Sequence, residues 1–191
     1  MENIKSRLKR CWNNEFKEAL PITYKLKEAF HDNWIRIYNF PDERRYPENQ
    51  KEENDALKAN LDILDGIIKH EEKCFLILGE YSKKINFSNE FNRHYVDKYS
   101  LEKFQTINLK DKFPDEYDDG YLILGVNEIT WGKDDIREIL IDSSTDKIRN
   151  TCIILQQQPT LIAPYDGGLD IITKDELTWK KLKTISSGIK N

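Results

Sequence analysis

The spacing of apolar residues changes several times along the chain, and each change predicts an element. From residue 4 to 20, Ile4, Leu8, Cys11, Trp12, Phe16, Ala19 and Leu20 recur at helical spacing until Pro21 stops them, with Lys5, Arg7, Lys9 and Arg10 on the opposite side. This predicts an amphipathic helix with a basic outer face. Residues 34–40 alternate instead, which predicts a strand with Ile35 and Ile37 on one face and Trp34, Arg36 and Tyr38 on the other. A second helical stripe follows: Leu57, Leu61, Leu64 and Ile68, widened by Asn60, Ile63 and Ile67 and weakened near its end by Gly66.

Residues 74–78 form a short continuous apolar run of the kind found in an interior strand. The pattern fades between 82 and 119, where Ser100-Leu101-Glu102-Lys103 predicts the start of a helical turn. It returns as a strand at 121–126, which residues 128–131 pair with or extend, and as a helix after Gly132 with Ile136, Ile139 and Leu140 inward. Strands at 152–155 and 160–165, separated by residues 156–159, lead into Asp166-Gly167-Gly168 and a further strand at 169–172. Asp-Gly between two apolar runs is a hairpin signal, because a tight turn needs positive φ values that glycine adopts cheaply. Thr173 followed by Glu176 reads as a capping box opening a last helix, with Leu177, Leu182 and Ile185 inward. The expected fold is α+β, a mainly antiparallel sheet with a C-terminal meander, flanked by helices. With no linker and no repeat, residues 1–191 are expected to form a single domain.

Composition limits what such a fold does. Eight phenylalanines, nine tyrosines and four tryptophans supply large buried surfaces, so a folded core is expected. Thirty basic and 34 acidic residues leave a net charge of −4, without the basic excess that nucleic acid or an anionic membrane demands. The three cysteines, Cys11, Cys74 and Cys152, are sparse and odd in number, which points to a reducing compartment. No stretch has the length of a signal peptide or membrane span, and a cytoplasmic address is expected.

Chemistry-bearing motifs are scarce. His31, His70 and His94 have no second histidine at ligand spacing, and neither a phosphate-cradling glycine loop nor a nucleophile motif occurs. No catalytic residue, metal or cofactor is expected. Asp166 and Asp170 flank two glycines, and Asp170, between Leu169 and Ile171, faces the other side of its strand. Turn chemistry for Asp166 and a salt bridge from Asp170 to Arg36 or Arg45 account for them; a catalytic or cation-binding pair and a partner contact are the alternatives. Arg44-Arg45-Tyr46-Pro47 either packs Tyr46 while the arginines answer nearby acids, or binds a phosphate or carboxylate. From Asp111 to Asp119 five acids surround Phe113 and Tyr117, which fits either solvated surface or a docking site for a basic protein through Asp115, Glu116, Tyr117, Asp118 and Asp119.

The meander from Cys152 to Leu177, with Tyr165, Asp166, Gly168 and Asp170, resembles the closing segment of an uncharacterised bacterial domain family. The strand carrying Arg36 and the Arg45-Tyr46-Pro47 loop are similar to that family's earlier half. The likeness covers residues 33–80 and 150–186 and leaves 82–119 unmatched. It implies a small bacterial protein, and some proteins of this look resemble immunity proteins of toxin systems, an analogy of fold only. The function expected is a non-enzymatic protein-binding module, most concretely a cytoplasmic immunity protein that blocks a basic toxin domain, with neither nucleic acid nor membrane as partner. The alternatives are a structural or regulatory domain with an unknown partner and a hydrolase using Asp166 and Asp170.

Overall fold

The computed structural model describes residues 2–40, 44–85, 92–158 and 160–188. Its centre is a seven-stranded sheet built from β1 (Trp34–Tyr38), β2 (Lys73–Ser82), β3 (Glu102–Asn108), β4 (Tyr121–Thr130), β5 (Asn150–Leu155), β6 (Thr160–Tyr165) and β7 (Gly168–Thr173). The strands lie in the order β1-β7-β6-β5-β2-β4-β3. Every neighbouring pair is antiparallel, so the fold is α+β as the pattern predicts. The apolar run at 74–78 lies in β2, between β4 and β5. Residues 121–131 resolve the open choice: 128–130 extend the strand, and β4 runs without a break to Thr130.

Side chains alternate across this sheet and fill two cores. On one face Ile35, Ile37, Leu76, Ile153, Ile162 and Ile171 pack under α3 (Gln50–Ile67), α4 (Arg93–Tyr99), α6 (Arg137–Ser144) and α7 (Glu176–Gly188). On the other, Ile77, Leu124, Ile154 and Leu161 pack under α1 (Ile4–Glu15) and α2 (Thr23–Ala29). A four-residue helix, α5 (Leu109–Lys112), precedes β4. Helix α2 has no side-chain cap of its own; Asn150 at the start of β5 accepts from Thr23 N at 3.0 Å and ties the helix to the sheet.

Several expectations need correction. The first helix stops at Glu15, with Phe16 as its C-cap, and a second helix, α2, follows Pro21, with Leu26 buried inside it and Ile22 and Phe30 buried at its caps. In α3 the innermost line is Ala56, Asn60, Leu64 and Ile67, one position round from the Leu57–Leu61 stripe. The turn expected at Ser100 is a left-handed cap on α4, and Glu102 begins β3. The last helix is capped by Asp175, whose carboxylate accepts from Thr178 N at 2.7 Å, because Thr173 is still the end of β7. Leu177 is consequently 79% exposed, whereas Leu182 is buried. Pro159, in the turn expected between β5 and β6, lies outside the described residues.

Glu128 joins α1 to the sheet. Lys73 Nζ donates to it at 2.7 Å and Gln156 Nε2 at 2.9 Å, and Arg7 of α1 donates to the same carboxylate. Burial would raise this carboxyl, yet the hydrogen bonds from Lys73, Gln156 and Arg7 outweigh it and hold it down at about 2. A depressed carboxyl contributes stability above its unfolded pKa and loses it as pH falls through the folded one. Glu128→Gln is therefore expected to cost about 1–2 kcal/mol at neutral pH, a figure discounted for solvent screening. In urea unfolding the gap from wild type should close near pH 2; a gap that persists there would assign the loss to packing.

Candidate functional site

The helices α1 and α2 cover only part of their face of the sheet. Beside α2 the uncovered part forms an open cavity of about 840 Å³. Its floor and one wall come from β1, β6 and β7. Arg36 and Asp170 are direct cross-strand partners, and Ala163 is the partner of Asp170 on its other side. Arg36 Nε donates to Asp170 Oδ1 at 2.7 Å and Nη2 to Oδ2 at 2.6 Å, so the pair is bidentate. The guanidinium also lies over the Tyr165 ring at 4.4 Å and the Trp34 ring at 5.2 Å. Arg36 is thereby fixed in plane and position, and its hydrogen bonds to Asp170 hold its pKa above the ordinary arginine value.

A second bidentate pair stands at the hairpin. Arg45 Nε donates to Asp166 Oδ1 at 3.1 Å, and its Nη2 lies 2.6 Å from Oδ2. Asp166 and Gly167 form the two-residue turn between the partners Tyr165 and Gly168. The glycine that needs positive φ is Gly168, at +147°, and not the turn glycine, because a Cβ at 168 would lie 2.0 Å from the Ile37 carbonyl oxygen of β1. Gly167 has a different use: the Tyr165 ring rests where its side chain would be, 2.7 Å from an added Cβ.

The remaining walls carry Tyr81 from β2, Tyr24 from α2, Tyr117 from the segment after α5, and Arg149 before β5. Tyr24 and Tyr117 share a hydrogen bond of 2.8 Å between hydroxyls, and Arg149 Nη2 donates to Asp146 at 3.0 Å. Burial pushes the Tyr24, Tyr81 and Tyr165 hydroxyls upward, so all three stay neutral. Among the described residues, the Tyr165 hydroxyl is buried with no hydrogen-bond partner.

One family model, described as a domain of unknown function (DUF3885), matches residues 22–186. The chain belongs to that family. The DUF3885 match runs from the start of α2 into α7 and takes in residues 82–119, which the sequence resemblance left unmatched. Helix α1 precedes the match, although its Leu8 and Trp12 help to fill the second core. No curated protein and no solved structure matches the chain.

In this DUF3885 domain the two groups of residues singled out from sequence are neighbours. Arg36, Arg45, Tyr165, Asp166 and Asp170 line the cavity, Gly168 lets β1 close against its hairpin, and Tyr46 is half exposed beside Arg45 at 5.9 Å. Arg44 pairs with Glu48 and Glu52 and answers acids as expected. The acidic loop meets the cavity through Tyr117. Asp115, Glu116, Asp118 and Asp119 are exposed; Glu116 pairs with Lys25, and Asp119 lies 3.8 Å from Lys83. Sequence reasoning missed Tyr24, Tyr81 and Arg149, which come from three elements far apart in the chain. Tyr81 was findable, since continuing the β2 alternation from Phe75 and Ile77 puts it on the same face.

No group of three metal-ligating side chains occurs among the described residues, and no helix there is long and apolar enough to cross a membrane. The buried thiols of Cys74 and Cys152 are held in the protonated form. Burial first, then the nearby acids Glu72 and Glu128, push Cys74 up to about 12, and burial alone does the same to Cys152.

Proposed function

We propose that this domain is a non-enzymatic protein-binding module, most concretely a cytoplasmic bacterial immunity protein that blocks a basic toxin domain. The observation that carries the reading is the continuity of the exposed acids Asp115, Asp118 and Asp119 with a cavity rim of tyrosines, joined at Tyr117. Tyrosine and arginine are the residues that anchor protein interfaces, and an acidic border steers a cationic partner and slows the approach of others. Blockade would then be steric at the rim and electrostatic at the loop.

The hydrolase alternative is weakened by the same geometry. A general base needs a carboxylate oxygen open to the proton it takes. Asp166 and Asp170 already accept from two guanidinium nitrogens each.

Affinity capture with the tagged chain from its source cells tests the proposal. Wild type should retain one stoichiometric basic protein, released by salt. The combined variant Asp115→Asn, Asp118→Asn, Asp119→Asn should keep its fold and lose at least ten-fold in affinity for that protein. A wild-type monomer that retains nothing, or a variant that retains the partner as tightly as wild type, overturns the reading.

A further inference from the structure

The cavity is neutral in formal charge but unbalanced in hydrogen bonding. Its arginines and aspartates are matched, Arg36 with Asp170, Arg45 with Asp166 and Arg149 with Asp146. In the first two pairs both carboxylate oxygens are taken up by guanidinium donors, which uses the Nε and Nη2 of each arginine and leaves Nη1 outside the pair. Tyr165 adds a buried hydroxyl with no partner among the described residues. Buried polar groups are ordinarily satisfied, so an unfilled donor beside a cavity calls for an acceptor from outside the chain. Each guanidinium keeps about three N–H donors beyond its pair, more than the lone pairs left on its carboxylate, and a group with several acceptors on one centre, an oxyanion, matches that surplus.

The shape extends the requirement. Sheet order places β1 four strands from β2, about 19 Å away at ordinary strand spacing. Arg36 is therefore at one end of the cavity and Tyr81 at the other, with Arg149 and the Tyr24–Tyr117 pair also on its walls. An anion alone would fill the arginine end and leave the phenol rings unused. A planar ring stacks on such rings, and base-on-aromatic stacking tolerates any base.

We propose that the cavity binds a nucleoside phosphate, with the phosphate on Arg36, Arg45 and the Tyr165 hydroxyl and the base against the tyrosines. The site goes beyond protein docking; the two readings share the rim tyrosines, and the acids tell them apart, because Asp115, Asp118 and Asp119 do not line the cavity.

Isothermal titration of the whole chain with AMP, GMP, adenosine and inorganic phosphate reads the proposal. AMP or GMP should bind saturably, at least ten-fold tighter than adenosine or phosphate alone. Tyr165→Phe removes only the hydroxyl and should weaken the nucleotide five-fold or more at unchanged melting temperature; Arg45→Gln should weaken it as much, but with earlier melting, because the buried Asp166 loses its partner. Asp115→Asn should leave it unaffected. Three results overturn the proposal: no saturable nucleotide binding, equal affinity for phosphate and nucleotide, or nucleotide binding untouched by both cavity variants.

Discussion

Gly168→Ala is expected to be the most damaging single-methyl change in the chain. At φ +147° an L side chain is strained, and the added Cβ would stand 2.0 Å from the Ile37 oxygen, 3.0 Å from the Ile37 carbonyl carbon and 3.2 Å from Asn39 N. All three are backbone atoms of β1 and its exit, so no flexible side-chain tip can move aside. Relief requires β1 to leave β7, which would break the Arg36–Asp170 register and the Asn39 N to Gly167 O hydrogen bond of 2.9 Å. A loss above about 4 kcal/mol in urea unfolding, or failure to fold, is expected. Gly167→Ala supplies the control: its Cβ meets only the Tyr165 ring, which can swing outward into the open cavity, so stability should suffer less. Equal stability of wild type and Gly168→Ala would mean that β1 does not lie on β7 in this register.

Asp170→Ala is expected to cost about 3–5 kcal/mol, the usual penalty for removing one partner of a buried pair. The Asp170 side chain is only a tenth exposed, and its loss would leave Arg36 between two aromatic rings without its counter-charge. Asp170→Asn keeps the shape but offers a single carbonyl oxygen to a two-pronged donor, so it too should destabilise. This separates the structural reading from the hydrolase one. A catalytic Asp170 would give an Asn variant with wild-type melting behaviour and lost turnover; a supporting Asp170 gives a variant that melts early.

Much of the sheet could be read in the sequence because its strands are locally complete. The alternation of 34–38 correctly put Arg36 opposite Ile35 and Ile37, and the meander of β5, β6 and β7 follows from short apolar runs with an Asp-Gly turn between the last two. The α2 helix was hidden by its length: seven residues give two turns, and its cap comes from Asn150, far along the chain. Strand β3 was hidden because it lies at the sheet edge, where only Ile107 is fully buried and a bulge near Phe104 breaks the alternation. The salt bridge from Asp170 to Arg36 was among the expected pairings, whereas the bond from Arg45 to Asp166 was not, since Asp166 read as turn chemistry. The cavity as a whole was invisible. It exists because helices cover only part of one sheet face, a fact of packing that no local window contains.

Arg36 and Asp170 act as one fixed structural pair in the cavity wall. A double-mutant cycle on Arg36→Met and Asp170→Leu, read by urea unfolding, tests this most directly. A fixed pair predicts that each single change is costly and that the double variant recovers at least about 2 kcal/mol relative to their sum. Additivity within about 0.5 kcal/mol would mean that the two side chains act independently, and would contradict the account.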